Sequence, residues 1–266
     1  MEIINLNGIE IPTIGYGTWT LSGESASNLV ASALESGYRH IDTAAMYKNE
    51  EHVGEGIRNS GINRSEIFLT TKVWSTEISE GALQKSVKVS LQKLQVDVVD
   101  LVLIHWPSKT IPLAETMGAL SEVQKLGLAK NVGVSNFSVS LLQEAINLAD
   151  VPIFCNQVEY HPYLDQGEIL KYCTDNDVVF VSYCPLYRGG RLFEEKIIKS
   201  LSLKYEKTPA QIVLRWHIQH EGVSAIPRSQ NPSRIKENLN IFDFKLDQIE
   251  MDKISELSVH NLRLCG

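Results

Sequence analysis

Val99–His105, VDLVLIH, is apolar for almost its whole length and then stops on an ionisable ring. A run this short, rich in β-branched and aliphatic residues, reads as a strand, and the histidine marks where it leaves the core. The pattern recurs. Thr13–Gly17 (TIGYG), Tyr38–Asp42 (YRHID), Ile67–Lys72 (IFLTTK), Ala129–Ser135 (AKNVGVS), Ile153–Glu159 (IFCNQVE), Val178–Tyr183 (VVFVSY) and Val223–Pro227 (VSAIP) complete a set of eight. Helix-period segments lie between them at 24–36, 50–60, 79–95, 112–127, 138–149 and 166–176. Leu192–His220 supplies two more helices, broken at KTPAQ, where Thr208 can cap and Pro209 can open the second.

Eight strands with helical crossovers, and no Gly/Pro/Ser-rich linker, describe an α/β protein of the (β/α)8 barrel type in one domain, residues 1–266. A doubly wound nucleotide fold competes, but no G-x-G-x-x-G follows any strand. Residues 1–12 read as a hairpin turning at Asn7-Gly8, suited to plug the bottom of the barrel. Residues 246–266 hold a C-terminal helix and a short tail.

Composition narrows the function classes. Hydrophobic residues make up 43% and charged residues 21%, ordinary for a soluble globular protein. A formal net charge of −7 argues against a nucleic-acid surface or an anionic-membrane patch. The four cysteines, Cys155, Cys173, Cys184 and Cys265, are scattered as reduced thiols are, and no long apolar span or signal segment is present. The expectation is a cytoplasmic protein, monomeric because nothing advertises an extended apolar surface.

Barrel enzymes work at the C-terminal ends of their strands, where loops from all eight converge. Those ends carry Thr18 and Trp19, Asp42 and Tyr47, Lys72 and Trp74, His105 and Trp106, Ser135 and Asn136, Gln157 with Glu159 and Tyr160, Tyr183, then Arg228 and Ser229. Singly, each has an ordinary reading: Asp42 as a turn cap, Tyr47 as a packed aromatic, His105 as a satisfied core histidine. Jointly they suit one task. An ammonium at the barrel mouth needs a partner, and Asp42 is the nearest supply for Lys72. Lys72 can then favour the Tyr47 phenolate, so that Tyr47 shuttles a proton while His105 orients a carbonyl oxygen. No side chain delivers hydride, so the electrons imply a nicotinamide or flavin. Ser135, Asn136 and Gln157 could hold a carboxamide, Tyr183 could stack under its ring, and Arg228, Ser229 and Arg234 could cradle a phosphate; an ion-paired surface turn is the alternative for those arginines.

GYGTW, GYRHIDTAAMYKNE, TTKVW, LVLIHWP, NVGVSNF, NQVEYHP and IPRS with RIKEN stand in an order that resembles the aldo-keto reductase superfamily, over essentially the whole chain. Within it the chain is similar to small microbial aldehyde and keto-sugar reductases of the 2,5-diketogluconate reductase type. The resemblance implies NADPH bound without a Rossmann domain, with NADH as a second choice, and a small carbonyl substrate. It implies Tyr47 as general acid, Lys72 and Asp42 as its tuning pair, and His105 as the carbonyl-orienting group. On the cofactor side it implies Gly17, Thr18, Asp42, Ser135, Asn136, Gln157, Tyr183, Pro185, Leu186, Arg228, Ser229, Arg234, Glu237 and Asn238. Trp19, Trp74, His105, Trp106 and His161 would line the substrate side.

Three departures stand out. Arg228 replaces the family's usual lysine before the cradle serine, exchanging a point ammonium for a planar fork. PLYRGG, Pro185–Gly190, replaces the common PLG turn, so that loop is expected to close differently. The tail beyond Ser258 is short, which implies an open pocket and broad selectivity. Two rival functions remain: a non-catalytic nucleotide-binding regulatory subunit on the same fold, and a metal-dependent barrel hydrolase or isomerase built on His105, His161, Glu159 and Asp42. The second lacks any H-x-H or H-E-x-x-H pair and would have to share its space with Lys72, so no metal is expected.

Overall fold

The computed structural model describes residues 2–265. An antiparallel hairpin comes first, β1 (Ile3–Leu6) and β2 (Ile9–Pro12). Its two turn residues, Asn7 and Gly8, both take positive φ, 54° and 83°, as a tight hairpin turn matched to strand twist requires. Eight parallel strands follow: β3 (Tyr16–Gly17), β4 (His40–Asp42), β5 (Phe68–Val73), β6 (Val99–Ile104), β7 (Ala129–Ser135), β8 (Ile153–Glu159), β9 (Val179–Tyr183) and β10 (Val223–Ala225). Each neighbours the next in sequence order. The sheet closes on itself where Gly15 N donates to Ala225 O at 2.8 Å, Ala225 N to Thr13 O at 2.9 Å and Gly17 N to Pro227 O at 3.0 Å. The result is a (β/α)8 barrel.

The first barrel strand is shorter than expected from Thr13–Gly17. Its ladder is split: Thr13–Gly15 bond toward β10, Tyr16–Gly17 pair with β4, and Gly17 also reaches Pro227 beyond β10. At the changeover a Cβ on Gly15 would sit 2.6 Å from His40 Nδ1, so the close approach of strand and ring admits no side chain.

Crossover helices are α1 (Gly23–Glu35), α2 (Glu50–Asn59), α3 (Ala82–Leu94), α4 (Leu113–Lys125), α5 (Val139–Leu148) and α6 (Gly167–Asp175). Between β9 and β10 lie α7 (Arg191–Glu194), α8 (Lys196–Tyr205) and α9 (Pro209–Ile218), three helices where two are expected from the sequence. The extra one is a single turn, closed before Glu195 takes an extended backbone. Thr208 caps α9 in a reciprocal box with Gln211, and Pro209 opens it. After β10 come α10 (Pro232–Leu239), α11 (Gln248–Ser255) and a 3-10 turn at Glu256–His260.

β5, β6 and β8 are buried at every residue, as strands covered on both faces must be. One face packs against the helices. The other fills the barrel with Phe68, Leu101, Leu103, Phe154, Val179, Val181 and Ile226, and Ile11 of the hairpin joins that cluster, with Ile4, Leu6 and Ile9 packed on it. The hairpin therefore stops the barrel from below, as its sequence suggests. Full burial of each such side chain is worth about 1.5–3 kcal/mol, which makes the interior a packed core rather than a pore. The strand ends are left as a rigid rim. No helix among the described residues is long and apolar enough to cross a membrane.

Candidate active site

Strand register sets the rim. β4 ends on Asp42, and β5 carries Lys72 toward it, wholly buried. Lys72 Nζ bonds Asp42 Oδ1 at 2.5 Å and donates to Thr43 O at 3.0 Å. The other carboxylate oxygen, Oδ2, accepts Gln157 Nε2 of β8 at 2.8 Å. Thr18 holds the Asp42 backbone, its amide and hydroxyl both donating to Asp42 O at 3.0 Å. A buried ion pair is tolerable because these further bonds satisfy it; removing one partner from such a pair typically costs about 3–5 kcal/mol.

Tyr47 lies on a 3-10 turn, Ala45–Tyr47, that leaves β4 and ends on Lys48 in left-handed backbone. The turn is braced by Asn49, whose amide donates to Thr18 O and Leu21 O. This places the Tyr47 hydroxyl 3.5 Å from Lys72 Nζ, with the ring centroid 5.1 Å from the same ammonium. The electrostatics differ from the sequence expectation. Lys72 is already matched by Asp42, so burial first and the Asp42 carboxylate second push the Tyr47 phenol well above its ordinary value. Burial likewise lowers Lys72, with Asp42 opposing the shift.

His105 follows β6, buried beside Tyr47 and Trp74, whose rings meet it edge-on at 5.6 and 5.2 Å. Burial, then the Lys72 charge, lowers it to about 3, so it is a neutral imidazole. Its Nδ1 is buried without a partner among the described residues. Trp106 is half-buried next to it and Trp19 is largely exposed across the rim. His161 differs. Expected on the substrate wall, it is wholly buried, with Nε2 on Glu159 Oε1 at 2.9 Å, because that carboxylate draws the ring inward.

The residues expected to hold a carboxamide and its ring form one network. Ser135 Oγ donates to Gln157 O at 2.7 Å, Asn136 Nδ2 donates to His105 O at 2.9 Å and Tyr183 Oη donates to Asn136 Oδ1 at 2.8 Å. Gln157 Nε2 gives one of its two N–H bonds to Asp42 Oδ2, so its side chain also braces the ion pair. Gly17 and Thr18 serve barrel closure and Asp42 rather than an open surface.

At the β10 end Arg228 is exposed, its Nε donating to Trp19 O at 3.1 Å and its other guanidinium arm to the Thr20 hydroxyl. Ser229 is half-buried, and Arg234 is exposed in the first turn of α10, where Asn231 caps the Ser233 and Arg234 amides. Neither arginine has a carboxylate partner among the described residues. Two neighbours face elsewhere: the Glu237 carboxylate accepts the Thr208 hydroxyl at 2.8 Å, and Asn238 is buried. The Pro185–Gly190 loop starts fixed, Pro185 O accepting His217 Nε2 at 3.0 Å, while Leu186 is half-buried. It then arches through left-handed Tyr187 and Arg188 until the Arg188 guanidinium lies 5.4 Å from the Trp19 ring centroid. Nothing local in the sequence pairs positions 188 and 19.

A cavity of about 640 Å³ opens beside this rim. Trp106, Asn136 and Val158 line it on the barrel side, and Asn261, Arg263 and Cys265 on the other; Tyr47, Lys72 and His105 do not reach it. The short tail thus forms one wall of this cavity. Among the described residues no three of His, Cys, Asp and Glu come together as metal ligands would.

Comparison with known proteins agrees with this geometry. The Aldo/keto reductase family matches residues 13–259. Methylglyoxal reductase DkgA of Escherichia coli (strain K12) is 42% identical over 253 residues, covering 94% of this chain and 91% of that protein. Glyoxal reductase of Bacillus subtilis (strain 168) is 42% identical over 253 residues, covering 95% and 91%. An aldo-keto reductase of Bombyx mori, solved in complex with NADP, superposes with a TM-score of 0.93 at 32% identity, covering 100% of this chain and 95% of that one. A barrel rim with this polar constellation, matched over nearly its whole length by such relatives, belongs to the aldo/keto reductase family, oxidoreductases of small carbonyl compounds.

Proposed function

We propose that the chain reduces small aldehydes and dicarbonyls to alcohols with NADPH, Tyr47 donating the proton. The observation that carries this reading is the linked set Asp42–Lys72–Tyr47 at the barrel mouth, with neutral His105 beside it. When bound, the dinucleotide supplies the hydride to the carbonyl carbon. Because its environment holds the phenol above its ordinary range, Tyr47 keeps its proton until negative charge develops on the carbonyl oxygen. The phenolate left behind is met by Lys72 at 3.5 Å, which Asp42 holds in place. His105, uncharged, orients the oxygen through a hydrogen bond without competing as the acid.

The residues present fit such a cofactor. Exposed Arg228 and Arg234, free of carboxylates among the described residues, suit a phosphate, and the Tyr183 ring, its hydroxyl held by Asn136 Oδ1, suits stacking against a nicotinamide. Methylglyoxal and glyoxal come first as substrates, because relatives named for them share 42% of their residues with this chain. The same reading takes residues 1–266 as one domain. Steady-state oxidation of NADPH and NADH against methylglyoxal, glyoxal, keto sugars and aromatic aldehydes tests it. Turnover of dicarbonyls with NADPH is expected; tight NADPH binding with no turnover of any carbonyl would leave a nucleotide-binding subunit instead.

A further inference from the structure

We infer that Glu159 is a positioning residue that clasps Asn261–Cys265 onto the barrel mouth and thereby selects which carbonyl substrates fit beside Trp106 and Asn136. The inference rests on the reductase reading for its substrates and on geometry for the clasp. Glu159 ends β8 opposite Tyr183 of β9 and is wholly buried. Its Oε1 accepts Leu264 N at 2.6 Å and His161 Nε2 at 2.9 Å, and its Oε2 accepts Cys265 N at 2.8 Å. Two residues before Leu264, Leu262 N donates to Tyr163 O at 2.9 Å.

A buried carboxylate is costly unless its lone pairs are met, and backbone amides of an irregular segment are equally costly to leave unmet. Glu159 satisfies both at once. The tail has no strand or helix to bond there, since the 3-10 turn ends at His260 and Asn261 turns the chain back in left-handed backbone, φ 41°. Burial alone would raise the Glu159 carboxyl, but His161 and the two amides outweigh it and hold the group below its ordinary value. The clasp is therefore charged and strong near neutral pH. Its consequence is steric: Asn261, Arg263 and Cys265 form one wall of the cavity whose other wall carries Trp106 and Asn136.

Two variants test the clasp from its two ends. Glu159→Gln leaves one acceptor oxygen and turns an amide group toward the tail's N–H donors; Leu264→Pro removes a donor and leaves Glu159 intact. Hydrogen exchange of the full chain without cofactor should show amides in 261–265 exchanging roughly ten- to a hundredfold faster in both variants, the range a charge-assisted bond represents. Peptides from Val99–Ile104 should be unchanged, which separates release of the tail from a failure to fold. With NADPH, the KM ratio between a bulky aromatic aldehyde and methylglyoxal should fall by roughly tenfold, while kcat on methylglyoxal stays within about a factor of two. Unchanged tail exchange overturns the clasp. Released tail amides with an unchanged KM ratio, or an equal loss of kcat on both substrates, overturn the selecting role. Exchange needs no turnover, so an inactive wild-type protein would sink the reductase reading and still leave the clasp to be judged.

Discussion

Two ion-bearing regions share one rim and are built on opposite terms. Lys72 is wholly buried, bonded to Asp42, and braced through Gln157 and Thr18. Arg228 and Arg234 are exposed, one resting on Trp19 O and Thr20, the other standing at a helix start with no ion pair among the described residues. The buried group is oriented before anything binds, and its field is little screened by salt. Exposed cations hold their charge in water, cost little to leave unpaired, and give up affinity as salt rises. One arrangement suits a chemical step and the other suits the capture of an anion.

The sharpest way to break this contrast is Tyr47→Phe. It removes the acid while leaving ring and packing, and should lower kcat by roughly 10²–10⁴-fold with NADPH affinity nearly intact. Loss of NADPH binding, measured by fluorescence titration, would move Tyr47 to the capture side of the comparison.

Acid should act on the buried side next. Burial lowers His40 to about 4, and His105 and His217 to about 3, each from an ordinary 6.5. A histidine depressed in the folded state stabilises fully above pH 6.5, and that contribution is lost as pH falls toward 4 and then 3, because the unfolded chain takes up the protons first. Each should cost about 1.4 kcal/mol per pH unit across that window. Urea melts between pH 7 and pH 4.5 measure it, and a flat midpoint would show that these rings are not held neutral.

The smallest effect belongs to the exposed side. Arg234→Ala should weaken NADPH about tenfold and NADH by no more than about twofold, since only NADPH carries the extra phosphate and the pair is solvent-screened. The loss should shrink as salt is added. Equal weakening of both dinucleotides would place Arg234 away from that phosphate.

Much of the rim is legible in the sequence. All eight barrel strands, the Asn7-Gly8 turn and the Thr208–Pro209 helix start follow from short-range chemistry, because strand burial, turn backbone and caps are decided by neighbours in the chain. What escaped was the destination of polar groups with several partners in reach. His161, expected on the substrate wall, is buried against Glu159, while Gln157 also bonds Asp42 and Glu237 also accepts the Thr208 hydroxyl, links no local pattern in the chain reveals.

Sequence alone determined that a carboxylate, an ammonium and an imidazole would finish three successive apolar runs, with a phenol five residues past the first, since a strand that fills a barrel must end its burial where polar residues begin. Tertiary structure alone decided their surroundings. Burial and Asp42 push the Tyr47 phenol above its ordinary value although Lys72 lies 3.5 Å away, and the tail amides of Leu264 and Cys265 find their acceptor in Glu159, 105 and 106 residues away in sequence.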